Sequence, residues 1–335
     1  MRITQFEPAA AAGGDLAGYV AVELAAARRD RPDEPPPGTE AAMARLTRAP
    51  APGRQRLHWV AREPPSGQIV GVGYLSLVGD QPADLAGITI TVHPDHRRQG
   101  LGTALLRQLT LAAAGRDCLL IEGLPDGSAG QAWAEMMGFA VVQQTVELRL
   151  DLVSADPARW QAPAAAGYRL AEWTGRVPAE LLVSYAAARN AIREAPRDGL
   201  SFTEPEWTAQ RVRDEEDTAV ARGCELRVVA AIHQRTGQVA GLTCLEVYQH
   251  RPELAVQQDT AVVQAHRGHG LGVSMKAANL RRLTAARPEV TAVITSNAAD
   301  NEHMLRVNQQ VGFQPSARSE IREAPLPELA ARLLR

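Results

Sequence analysis

Hydrophobic and polar positions along the chain fall into two successive runs with one common order. In the first run, residues 1–6 read as a strand and residues 16–29 as an amphipathic helix. Residues 57–62 and 69–78 read as two strands joined by the turn Glu63-Pro64-Pro65-Ser66-Gly67. Residues 87–93 form a third strand, alternating at Ile88, Ile90 and Val92. A helix over 101–114 keeps apolar residues at Leu101, Ala104, Leu105, Leu109 and Ala112, and 118–122 reads as a buried strand. A short helix around 131–137 stops at Gly138, and Phe139 opens a further strand.

The second run repeats the order. Strands are predicted over 167–173, 225–233, 238–248, 254–263 and 291–295, and helices over 180–193, 204–217, 271–286 and 302–311. Gly312-Phe313 stands where Gly138-Phe139 stood. Residues 154–167, rich in Ala and Pro, mark the change of unit. The predicted domains are therefore 1–153 and 165–335, in a chain of 335 residues long enough for two cores.

Between the third strand and the following helix, both runs carry Arg-x-x-Gly-x-Gly. The copies are Arg97-Arg98-Gln99-Gly100-Leu101-Gly102 and Arg267-Gly268-His269-Gly270-Leu271-Gly272, about 170 positions apart. A strand that feeds backbone N–H groups into a helix N-terminus binds anions through the amides and the helix dipole. Glycines let the chain turn and a phosphate approach. A dinucleotide fingerprint would need a third glycine at Leu105 and Met275, and a P-loop would need Gly-Lys-[Ser/Thr]; neither is present.

Composition narrows the picture without deciding it. Lys and Arg number 36 against 38 Asp and Glu, so no charge excess points to nucleic acid or an anionic membrane. Three scattered cysteines fit a reducing cytoplasm and make no zinc pattern, so no metal is expected. No secretory signal or membrane-spanning run is apparent, and the expectation is a cytoplasmic protein.

Both loops match the coenzyme A pyrophosphate loop of GNAT acyltransferases, and nearly the whole chain resembles a tandem GNAT-family N-acetyltransferase. Val92, Pro94 and Arg97 keep the family's Val-x-Pro-x-x-Arg form. Thr295, Asn297, Asn301, Met304, Asn308 and Gly312-Phe313 resemble the family's stretch after its fifth strand. Mycothiol synthases are similar in their tandem architecture only. The resemblance implies an α/β fold, with a mixed, mostly antiparallel sheet and flanking helices in each domain. It also implies acetyl-CoA as co-substrate, bound where the fourth and fifth strands splay apart. Cofactor contacts would come from Val262, Val263, Arg267, Gly268, His269, Gly270, Leu271, Gly272, Asn297, Asn301 and Asn308. The first domain would offer Val92, Arg97, Arg98, Gln99, Gly100, Leu101 and Gly102.

The implied reaction is direct attack of a primary amine, from a small molecule or peptide, on the thioester. Many relatives place a proton-donating Tyr four residues before the Gly-Phe pair; here those positions hold Ala134 and Asn308. A thiol near pKa ~8.5 can still leave as thiolate. Candidate bases are Asp259, unless it pairs structurally, and Glu246, with Tyr185, Tyr248 and His250 behind them. His96, His266 and His269 are expected to be exposed loop residues, Tyr185 and Trp207 to pack in the core, and Lys276, Arg281 and Arg282 to lie on a solvated face. The second domain, with its fuller asparagine set, is the expected catalyst. The alternative is a non-catalytic acyl-CoA-binding or partner-binding protein. A monomer or a homodimer fits either.

Overall fold

A computed structural model describes residues 1–31, 38–47, 54–78, 85–161, 165–194, 201 and 205–334. The chain divides into two compact units. One comprises Met1–Gln143, Gly199–Thr203 and Glu320–Arg335; the other comprises Gln144–Asp198 and Glu204–Ser319.

In the first unit, β1 (Arg2–Phe6), β2 (Arg54–Arg62), β3 (Ile69–Val78) and β4 (Leu85–Val92) pair antiparallel in sequence order, and β5 (Cys118–Pro125) joins β4 in parallel. Side chains alternate across the sheet. Leu57, Trp59 and Ala61 of β2 face α3 (Leu101–Ala112), whose Leu101, Leu105, Leu106 and Leu109 fill that core. Val60 faces the opposite side, where α1 (Gly13–Asp30) supplies Tyr19 and Val22 and α2 (Thr39–Thr47) supplies Leu46. The helix α4 (Ala129–Met137) ends at Gly138, which takes the left-handed conformation at φ 93°.

The second unit repeats this arrangement. β7 (Tyr168–Thr174), β8 (Cys224–His233), β9 (Val239–Tyr248) and β10 (Leu254–Val262) run antiparallel, and β11 (Ala292–Ala298) is parallel to β10. On β8, Leu226, Val228, Ala230 and Ile232 face the cluster that contains α5 (Leu182–Arg189) and α6 (Ala209–Ala221), while Val229 and Ala231 face α7 (Leu271–Ala286). α6 starts later than the predicted helix over 204–217, behind the Thr208 cap that accepts the Arg211 N–H.

The last strand of each unit comes from the other half of the sequence. β6 (Ala140–Asp151) leaves the first unit and pairs with β11 through Thr145–Asp151, antiparallel. β12 (Gln314–Pro325) begins in the second unit, where Ser319 meets Thr145 with hydroxyl oxygens 2.7 Å apart. It ends in the first unit, where Arg322 donates to the Phe139 carbonyl and α9 (Leu326–Leu333) packs into the α3 core. A single cut between 153 and 165 therefore does not follow the compact units. Within residues 154–167, Trp160 is buried and donates its indole N–H to the Val311 carbonyl at 2.9 Å, so this segment is tied into the second unit. Among the described residues, no helix is long and apolar enough to cross a membrane.

Candidate active site

The two glycine loops adopt one backbone shape. Each follows its strand with a short 3-10 turn, Pro94–His96 or Gln264–His266. Arg97 and Arg267 then lie at φ −71°, ψ 162° and φ −70°, ψ 161°. Gly100 at φ 78° and Gly270 at φ 69° cap α3 and α7 in the left-handed region. Arg98 at φ 64° stands where Gly268 takes φ 80°. A side chain disfavours that region, so the first loop carries strain that the second avoids. No atom lies within 4 Å of a β-carbon built on Gly100, Gly268 or Gly270. The glycines thus serve the turn, and the space above them is free for a diphosphate. Leu101 and Leu271 anchor each loop in a core, leaving only their N–H groups for an anion. Gln99, His269 and Gly270 are exposed.

The first arginine of each motif holds the loop in shape. Arg97 Nε donates to the Val92 carbonyl, and Arg267 Nε to the Val262 carbonyl, each at 3.2 Å. Arg97 also grips Asp30 through two 2.7 Å bonds, and Arg267 bonds Glu194. These guanidiniums are already paired, so phosphate contact falls to the backbone amides. Val263 N–H is also spent, on the Ala240 carbonyl. His266 is not an open loop histidine, for its Nδ1 lies 2.9 Å from the Tyr168 hydroxyl.

β10 and β11 pair only at Leu254–Val256 with Ala292–Ile294, then diverge. Thr295 Oγ1 donates to the Gln257 carbonyl at 3.0 Å where they part. Immediately beyond, β10 bulges: the three steps from Gln257 to Thr260 face the two from Leu245 to Thr243 on β9. The buried Gln257 amide braces the bulge, donating to Thr243 Oγ1 and to the Cys244 and Gln258 carbonyls. β4 and β5 of the first unit also part after three pairs, Leu85–Gly87 with Cys118–Leu120. There β4 keeps continuous register with β3 from Ala86 to Val92, without a bulge.

Three asparagines gather beside the splay. Asn308 of α8 (Glu302–Gln310) donates to Asn297 Oδ1 on β11 at 2.7 Å. Asn301 caps α8, accepting the Met304 N–H at 3.1 Å. Asn308 is fully buried, and its Oδ1 has no hydrogen-bond partner. An orphaned acceptor here suits an amide N–H of a pantetheine arm.

The two candidate carboxylates differ. Asp259, within the bulge, accepts from Arg189 Nη2 at 2.9 Å. Arg189 is 8% exposed, also pairs with Glu215, and lies 3.5 Å above the Trp207 ring. Asp259 is therefore a counter-ion to a buried cation, which opposes its acting as a proton acceptor. Glu246 is half-buried on β9, and its Oε2 accepts from the Tyr248 hydroxyl at 2.7 Å and from Gln258 Nε2 at 2.8 Å. Burial, then Glu246, raises the Tyr248 pKa, so Tyr248 stays a donor. Tyr185 packs against Trp173 in the core, and His250 lies beside the Tyr248 ring.

Comparison with known proteins agrees with this geometry. A model of the acetyltransferase (GNAT) domain matches residues 54–141. Mycothiol acetyltransferase of Mycobacterium sp. (strain JLS) is 26% identical over 269 residues, 79% of this chain and 83% of that protein. Its counterpart in Streptomyces griseus subsp. griseus is 28% identical over 241 residues, covering 72% of each. A solved tandem GNAT protein from the clavulanic acid biosynthesis pathway, without acetyl-CoA, superposes with a TM-score of 0.78 at 29% identity, covering 97% of this chain and 98% of that one. The chain carries a GNAT acetyltransferase domain, is similar over nearly its whole length to a tandem GNAT protein, and is an acyltransferase. A GCN5-related N-acetyltransferase from Sphaerobacter thermophilus shares the fold, at 16% identity and a TM-score of 0.68.

GNAT acetyltransferases use acetyl-CoA as co-substrate, and the open loop, the splay and the orphaned Asn308 oxygen fit that molecule. Identification as an acyltransferase leaves the non-catalytic alternative without support. Two sequence expectations need correction. Lys276 is not on a solvated face: it is 1% exposed, and its Nζ lies 5.9 Å from the Phe313 ring centroid. The first half of α7 is buried nearly all round, so its charge pattern misleads. Arg282 is half-buried and pairs with Glu172 at 3.0 Å, whereas Arg281 is exposed as expected and bonds the Trp160 carbonyl. Sequence reasoning missed Gln257, Thr243 and Gln258, whose roles depend on the bulge.

Proposed function

We propose that the second unit transfers acetyl from acetyl-CoA to a primary amine of a small molecule or peptide, by direct attack in a ternary complex. The observation that carries this reading is the bulge braced by Gln257 at the point where β10 leaves β11. A bulge turns backbone N–H groups away from the ladder, and in the splay they can polarise a thioester carbonyl. The first unit keeps the loop and splay but lacks the bulge, which supports a binding role there.

In this mechanism the Gly268–Gly272 amides and the α7 dipole hold the diphosphate. The β10 edge near Val262 pairs with the pantetheine amides as an added strand would. Glu246, set by Tyr248 and Gln258, takes the proton from the acceptor ammonium directly or through water. The amine nitrogen then bonds to the acetyl carbon, the carbon–sulfur bond breaks, CoA leaves as thiolate, and the second amine proton passes to that thiolate directly or through water as the amide forms. Asn308 replaces the usual tyrosine and donates to Asn297, so it supplies no acid.

The names of the relatives, a mycothiol acetyltransferase and a protein of clavulanic acid biosynthesis, favour small-molecule acceptors for the first trials. Three free cysteines fit a reducing cytoplasm. The test is amine-dependent thiol release from acetyl-CoA across a panel of small amines. Turnover lost in Glu246→Gln and kept in Asp259→Asn supports the assignment; the reverse pattern moves the base to Asp259.

A further inference from the structure

The first unit contains a cavity of about 260 Å³ on its α1–α2 side, lined by β2 and β3 and by the segment after β1. Tyr19 and His58, 0% and 8% exposed, form part of its lining. The Tyr19 hydroxyl lies 3.1 Å from His58 Nδ1. Burial raises the Tyr19 pKa, so the hydroxyl keeps its proton, and Nδ1 is the acceptor available for it. The ring hydrogen of His58 then sits on Nε2, which has no partner among the described residues. His58 is neutral, pushed down to about 4 by burial and then by Arg56.

Charges of both signs line the same cavity. Arg56 is exposed, with its guanidinium carbon 5.1 Å from the Tyr74 ring centroid, and it bonds no carboxylate among the described residues. Glu23 gives one oxygen to Arg45 at 2.8 Å. Glu7 makes only a 3.4 Å contact with the Ala9 N–H. Donors are thus free at Arg56 and His58, and acceptors at Glu7 and Glu23. The volume sits just below the range of small-molecule sites, roughly 300–1,000 Å³, which suits a compact ligand.

The second unit fills the matching place. Phe6 and Tyr19 stack at 5.5 Å, and Trp173 and Tyr185 form the corresponding pair between first strand and first helix at 5.6 Å. There the buried Trp207 joins Trp173 and Tyr185 in one core cluster, with Arg189 over its ring.

We propose that the first unit binds a compact zwitterion of the amino-acid class, its carboxylate on Arg56 and His58 Nε2 and its ammonium on Glu23 and Glu7. A planar guanidinium fork suits a carboxylate. The test is calorimetric titration of the full chain with the common amino acids, each beside its decarboxylated amine and its deaminated acid. At least one amino acid is expected to bind about tenfold or more tightly than both counterparts, each lost charge-assisted contact accounting for about tenfold. Arg56→Leu, an exposed change, and His58→Phe are each expected to weaken it by about tenfold. Gly270→Val is expected to leave it unchanged, which separates this site from acetyl transfer by the second unit. The proposal is overturned if no amino acid binds, if an amine or acid counterpart binds as tightly, or if Gly270→Val abolishes binding while Arg56→Leu does not.

Discussion

Lys276→Met isolates the cost of a buried amine on the helix that follows the second loop. Lys276 is 1% exposed, makes no hydrogen bond to a described residue, and has its pKa lowered from 10.5 to about 7 by burial. The unfolded chain keeps the ordinary value, so between pH 7 and 10.5 it binds more protons than the folded chain. Stability therefore rises with pH across that window and is flat below it. Integrating between the two values, the lysine costs about 4 kcal/mol at pH 7 and about 1 kcal/mol at pH 10. Methionine has similar length and no charge to desolvate. Urea unfolding of both proteins at pH 7 and pH 10 measures the difference, followed by the fluorescence of Trp160, Trp173 and Trp207. The variant should be the more stable at pH 7, with an advantage that shrinks by about 3 kcal/mol at pH 10. An advantage independent of pH, or a less stable variant at pH 7, would refute the reasoning.

Other residues give independent tests. Arg98→Gly, which removes a side chain at φ 64°, should stabilise the first unit by about 1 kcal/mol in thermal unfolding, whereas Gly268→Ala should destabilise the second by a similar amount. Asp259→Asn leaves Arg189 with Glu215 alone and should cost about 1–3 kcal/mol of stability while keeping the pH profile of turnover. Glu246→Gln should lower kcat by about a hundredfold. A β-carbon on Gly241 would meet the Ala261 carbonyl oxygen at 2.8 Å, so Gly241→Ala should loosen the β9–β10 pair, read as faster amide exchange at Val263.

Features set by local constraint were legible in the sequence. Gly100 and Gly270 occupy left-handed cap positions where a glycine is the easiest residue, and this makes the loops readable one motif at a time. The splayed strands followed from the family resemblance and are present in the structure. What escaped depends on partners distant in sequence. The exchange of β6 and β12 leaves no trace in periodicity, because a strand reads alike beside any neighbour. Asp259 looked like a base because its partner Arg189, 70 positions earlier, is brought to it only by the packing of α5. Lys276 looked solvated because helical spacing cannot report a helix covered nearly all round. The Tyr19–His58 pair joins α1 to β2 and carries no motif.

The central claim, that the second unit catalyses, rests most directly on Gly270→Val measured beside Gly100→Val. Each change puts a β-branched side chain at a left-handed loop position of one unit. Both folded proteins would be assayed for amine-dependent release of thiol from acetyl-CoA. Turnover should fall to background in Gly270→Val and persist in Gly100→Val. Loss in Gly100→Val alone would place the chemistry in the first unit and contradict the account.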